Sequence, residues 1–123
     1  MQAFPGRAPA LLLALAMTMV APLPVLAHAI IVESAPAAGA ALHGTALSIL
    51  LRFNSRIDRE RSRLMLLSAA GSPVALKLEP SAGADTLAAE ADGLAPGRYR
   101  LRWQVLGIDG HITRGDIPFA VVP

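Results

Sequence analysis

The chain has three histidines and no cysteine. Any transition-metal chemistry therefore runs through imidazole, carboxylate and backbone nitrogen rather than thiolate. His28 follows Val25-Leu26-Ala27, and a cut after Ala27 would make it the first residue of a processed chain. A terminal histidine offers its α-amine and its imidazole as a chelating nitrogen pair, which an internal histidine cannot do because an amide nitrogen is not basic. His111 stands in Asp109-Gly110-His111. In extended backbone, residues two apart share a face, so Asp109 and His111 would present one carboxylate and one further imidazole together. Amine, two imidazoles and a carboxylate make the tetragonal nitrogen and oxygen set that Cu(II) prefers, and the reference amine pKa of about 8 lets the metal displace its proton near neutrality. His28, Asp109 and His111 are the candidate Cu(II) ligands, and whether His43, in an early loop, joins as an alternative ligand stays open on the residues alone. Taken alone, Asp109-Gly110-His111 reads more readily as a hairpin turn with a solvated histidine. The terminal histidine gives it weight.

The segment before His28 decides whether that amine exists. Arg7 supplies a positive start, 11–21 is an apolar run too short to span a bilayer, and Pro22 and Pro24 break any helix ahead of the small residues near the cut. Residues 1–27 are expected to be a cleaved secretory signal and 28–123 the mature domain, free in the periplasm or outside the cell. That remainder is long enough for one modest core and too short for two domains, and a monomer is expected. Losing Arg7 leaves ten Lys and Arg against nine Asp and Glu, so no polyanionic partner such as nucleic acid is implied. Without cysteine no disulfide can staple the domain, and stability must come from packing.

The elements that would position these ligands are strands. Tyr99, Leu101, Trp103 and Val105 alternate with Arg98, Arg100, Arg102 and Gln104, which a strand resolves into one buried and one wet face. Leu47, Ile49, Leu51 and Phe53 form a second such stripe. Further strands are expected over 30–33, 64–68, 74–79, 86–90 and 116–122, the last with Ile117, Phe119 and Val121 inward. Turn chemistry fills 36–39, 70–72, 80–85 and 94–97. The expected fold is all-β: a seven-stranded Greek-key, immunoglobulin-like β-sandwich or barrel. Tyr99, just after Pro96-Gly97, is placed to act as a tyrosine corner or simply to pack in the core.

Several of these segments occur together in one family. His28-Ala29 at the mature start, Ser34-Ala35-Pro36-Ala37 with Gly39, Leu51-Arg52-Phe53, Pro96-Gly97-Arg98-Tyr99, the run from Trp103 to Asp109-Gly110-His111, Gly115, and Phe119-Ala120-Val121 resemble the CopC family of periplasmic copper-resistance proteins. The resemblance spans nearly the whole mature chain. It implies a Greek-key barrel or sandwich, Cu(II) held by the terminal histidine with the aspartate and histidine of the Asp-Gly-His loop, here His28, Asp109 and His111, and a CopD-like inner-membrane copper transporter as the recipient. The implied role is copper sequestration or delivery, not catalysis.

Two departures from the family stand out. Some members have a methionine-rich Cu(I) loop, whereas Met1, Met17 and Met19 lie in the signal and Met65 sits on an apolar strand, where core packing is expected. Some carry a glutamate just after the strand ending in Phe53, where this chain has Asn54-Ser55. The lack of soft ligands argues against Cu(I) and against a blue-copper electron carrier. Arg52, Arg56, Arg59, Arg61 and Arg63, interleaved with Asp58 and Glu60, are expected to form a solvated turn. Two other functions stay open on the residues alone. One is a small copper oxygenase built on a terminal-histidine chelate, and the other a metal-free immunoglobulin-like interaction module.

Overall fold

The computed structural model describes Ala3, Gly6 and residues 29–123. The rest of the expected signal, its cleavage point and His28 lie outside the described residues. Within them there are eight strands: β1 (Ile31–Ala35), β2 (Ala40–His43), β3 (Leu47–Phe53), β4 (Ile57–Ser68), β5 (Val74–Ala75), β6 (Thr86–Ala91), β7 (Gly97–Gly107) and β8 (Ile112–Val122). They form a three-stranded sheet, β1-β3-β6, and a five-stranded sheet, β2-β8-β7-β4-β5. All neighbours are antiparallel except β2, which runs parallel to β8. The all-β sandwich matches the sequence expectation, with eight strands in place of seven.

Alternation builds the core. Leu47, Ile49, Leu51 and Phe53 of β3 point inward, opposed across the sandwich by Leu101, Trp103 and Val105 of β7 and by Ile117, Phe119 and Val121 of β8. Leu51, Phe53, Leu64, Leu87, Leu101 and Val105 are fully buried, each contributing about 1.5–3 kcal/mol relative to exposure. Phe53 meets Trp103 edge to face at 5.3 Å, joining the two sheets through an aromatic pair worth about 0.5–1.5 kcal/mol beyond its area. Both readings of Tyr99 hold at once: its hydroxyl donates to the Ala95 carbonyl at 2.6 Å while its ring stacks on Phe119 at 5.4 Å.

Three expectations need correction. His43, read as lying in an early loop, ends strand β2, which pairs with Phe119 to Val122 of β8. The arginine-rich stretch is not a solvated turn: Arg52 lies in β3 and Arg59, Arg61 and Arg63 in β4, leaving Arg56 between them. There Arg59 ties down the 80–86 loop by donating to the carbonyls of Ala82 at 2.6 Å and Pro80 at 3.2 Å, and to Gly83. The strand expected over 74–79 closes after Ala75, and Leu76 and Leu78 pack against the core from beyond its end.

Candidate metal centre

The β7 and β8 strands pair without a break from Gly97 opposite Val121 to Leu106 opposite Ile112. The hairpin that joins them carries Asp109 and His111. Gly107 donates its amide to the His111 carbonyl at 2.8 Å, and Gly110 donates back to the Gly107 carbonyl at 2.9 Å. This leaves a three-residue loop, Ile108-Asp109-Gly110, whose third position needs a left-handed backbone. Gly110 supplies it at φ 85°.

The turn, rather than strand alternation, brings the two candidate ligands together. Asp109 Oδ1 accepts the His111 amide at 3.1 Å, and Asp109 Oδ2 lies 3.2 Å from His111 Nδ1. The amide bond is the largest cause and holds the Asp109 carboxyl below its usual 3.8; desolvation opposes it, and the imidazole contact adds a lesser lowering. The carboxylate is therefore anionic at neutral pH and ready to ligate. Two donors bound at about 2.0–2.2 Å and at right angles to each other stand about 2.8–3.1 Å apart, so this pair is already near the spacing of adjacent ligands. Among the described residues no cluster of three or more His, Cys, Asp or Glu side chains could hold a metal. Asp109 and His111 are two of the three candidate ligand residues, and the turn sets them side by side.

Sequence reasoning missed two contributors to the centre. A Cβ on Gly107 would stand 2.7 Å from Asp109 Oδ1, so the carboxylate occupies space that only glycine leaves open. Asn54 is the second: its Oδ1 accepts the Ile30 amide at 3.0 Å, and its own amide donates to the Ile30 carbonyl at 2.9 Å. Two residues on, the Arg56 carbonyl accepts the Ile108 amide at 3.3 Å, and Ile57 is the register partner of Gly107. The 54–57 segment therefore touches both Ile30 and the Asp109 loop. A hydrogen-bonding side chain immediately after a strand was the available signal for Asn54.

Among the described residues, the other histidine and the methionine lie elsewhere. His43 is opposite Val122, at the far end of β8 from His111, roughly 30 Å away at strand rise. It cannot join the same ion. Met65 is half-buried on the outward side of the five-stranded sheet, beside Ala75 and opposite Arg102, rather than in the core. Trp103 is core, as expected.

Residues 31–122 match the CopC domain family. The chain belongs to the CopC family. Its relatives include Protein YobA of Escherichia coli strain K12, 28% identical over 98 residues that cover 77% of this chain and 79% of YobA. Among solved structures, CopC from Methylosinus trichosporium OB3b superposes with a TM-score of 0.70 at 28% identity, over 78% of this chain and 95% of that one. PcoC from Escherichia coli, described as a methionine-rich copper resistance protein, superposes at 0.66 with 26% identity, over 78% of this chain and all (100%) of PcoC. Fibronectin(III)-like modules of Clostridium thermocellum CbhA, 17% identical with a TM-score of 0.50, share the fold alone. Against PcoC's methionine-rich description, this CopC-family domain carries only Met65 among its described residues.

Proposed function

We propose that this CopC-family chain is an exported copper-resistance protein that binds Cu(II) as cargo in the periplasm and passes it to an inner-membrane transporter. On this reading residues 1–27 are removed, and 28–123 is the mature domain. His28 then contributes its α-amine and imidazole, Asp109 a carboxylate oxygen and His111 an imidazole nitrogen, completing a four-donor tetragonal set.

The observation that carries this reading is the Asp109 and His111 pair at 3.2 Å, an anionic oxygen and an imidazole nitrogen at nearly the spacing of adjacent metal ligands. The Asn54 clasp on Ile30 supports the contribution of His28, because it fixes the residues that follow His28 to the same 54–57 segment that holds the loop. The copper-resistance description of PcoC supports the identity of the cargo. A carrier is favoured over an oxygenase because the groove near Arg98 and Pro118 is roughly 30 Å along β7 from Asp109, too far to seat a substrate at the metal.

Mass spectrometry of the protein secreted by its host, followed by electron paramagnetic resonance of the Cu(II) complex, tests the proposal on one sample. The expected outcome is a chain beginning at His28 and a tetragonal spectrum with nitrogen hyperfine splitting. A different first residue, or a spectrum without nitrogen coupling, overturns it.

A further inference from the structure

The arginines of this chain are nearly balanced by acids in sequence but not in space. Directly opposed residues in a sheet share a face. In the five-stranded sheet Arg63, Gln104 and Arg114 are in register, Arg102 is opposite Asp116, Arg100 opposite Pro118, and Arg98 opposite Ala120. All lie on the side away from the buried Leu101, Trp103 and Val105. The outward face therefore carries Arg63, Arg98, Arg100, Arg102 and Arg114 against Asp116, while Asp58, at its margin, is neutralised by Arg61 at 2.6 Å. Asp116 is consumed by a bidentate pair with Arg102 at 2.9 and 3.0 Å and a longer contact with Arg100 at 3.8 Å. Arg63, Arg98 and Arg114 have no carboxylate within ion-pair distance among the described residues.

The other sheet differs. Its outer face presents Glu33 paired with Arg52 at 3.0 Å, and Glu90 bonded to Ser48 at 2.8 Å. The domain is thus polarised across its thickness, with the excess positive charge on the outer face of the five-stranded sheet.

Apolar groups accompany that charge. At one end of the face, Leu67, Ala41, Pro118 and Ala120 line a groove of about 580 Å³ with Arg98 and Arg100 at its rim. At the other end, Ile108 is 71% exposed and Ile112 53% exposed, on either side of Asp109 and His111. Exposed aliphatic side chains between and beyond arginines suit an interface with phosphate above and hydrocarbon below.

We infer that the outer face of the five-stranded sheet docks on an anionic phospholipid surface, with the arginines against headgroup phosphates and the Asp109 loop held at the membrane edge. A sheet face on which five arginines stand against Asp116 complements an extended layer of phosphates better than a small partner. The docking depends on the proposed export only for its location, since the arginines act without the metal.

The test uses the protein as its host processes it, with the first residue defined by mass spectrometry, in co-sedimentation with phosphatidylcholine vesicles with or without phosphatidylglycerol. Binding is expected only with phosphatidylglycerol and should weaken as salt rises. Replacing Arg63, Arg98 and Arg114 together with Gln should weaken it on the order of a hundredfold. Arg52→Gln, which removes the same kind of charge from the opposite sheet, should leave binding intact, and circular dichroism should show both variants folded. Equal losses from the two variants, equal binding to neutral vesicles, or no vesicle binding would each overturn the inference. So would a salt-sensitive dimer that the triple variant abolishes, which would assign the face to a second copy of this chain. Cu(II) affinity measured on the same variants should not change, which separates failure here from failure of the metal assignment.

Discussion

Asp109 and His111 grip each other twice: one carboxylate oxygen accepts the His111 amide at 3.1 Å and the other lies 3.2 Å from Nδ1. The first contact fixes the loop and the second fixes the bite. Since the amide bond is the larger cause of the lowered Asp109 pKa, the carboxylate stays ionised through the ordinary carboxylate range and takes up no proton between pH 7 and 5. Its share of loop stability is present at neutrality and is lost only as pH falls through that lowered value.

A pH titration of Cu(II) affinity follows from this. Free imidazole and α-amine groups take up protons at about 6.5 and 8, so affinity should fall more than tenfold from pH 7 to pH 5 through nitrogen protonation alone. Asp109→Asn should bind on the order of 10–100-fold more weakly at every pH, with the same slope. Competition titrations at three pH values would check both, and a shallower slope in the variant would show that Asp109 itself titrates in this window.

Gly107→Ala is the steric counterpart. Its Cβ would stand 2.7 Å from Asp109 Oδ1, with the His111 carbonyl 3.5 Å away, so the carboxylate must swing off the amide that positions it. The added methyl should weaken Cu(II) binding about tenfold while shifting the melting temperature little, because the site is at the tip of the hairpin. Calorimetry and a thermal melt on the same preparation separate the two effects. Unchanged affinity would mean that the present carboxylate position is not the one that ligates.

The terminus is tested by extension. One residue added before His28 converts its amine to an amide, and affinity should drop at least a hundredfold if that nitrogen ligates. His43→Ala should change nothing, being roughly 30 Å away along β8. Isothermal titration of the two variants beside the parent protein gives the comparison. Equal affinity for the extended chain would remove the amine from the ligand set.

How far the sequence could be read depended on where side-chain alternation survives. β7 was legible because inward Leu, Trp and Val alternate with Arg and Gln, and β3 and β8 because large inward apolar residues recur at every second position. β2 was hidden because Ala40-Ala41-Leu42-His43 has almost no contrast and its partner, β8, lies nearly eighty positions away. The first half of β4 was hidden by a register shift between Asp58 and Arg63, which breaks the period just where the charged residues lie. At the site, Asp109 and His111 were visible as residue types, but the reason they meet was not. It lies in a glycine-closed turn, and in Gly107 and Asn54, whose roles appear only once distant backbone has been brought alongside.

Gly115 and Trp103 supply the last prediction, which concerns the core behind the loop. They are register partners across β7 and β8, and the indole lies directly over the glycine. A Cβ at Gly115 would stand 2.5 Å from Trp103 Cζ2 and 2.8 Å from Nε1, against a rigid ring that also packs on Phe53. The indole covers a strand glycine that would otherwise leave the sheet unpacked, an arrangement in which the aromatic group compensates for the weak β preference of glycine. Gly115→Ala should therefore force Trp103 off Phe53 and destabilise the domain by about 1–3 kcal/mol, the usual range for overpacking. As this is the chain's only tryptophan, its emission and near-ultraviolet circular dichroism should change in the folded protein, before any unfolding. A variant with parental emission and parental melting temperature would show that the sheet can bow to admit the methyl group, and that this contact does not set the geometry of the hairpin.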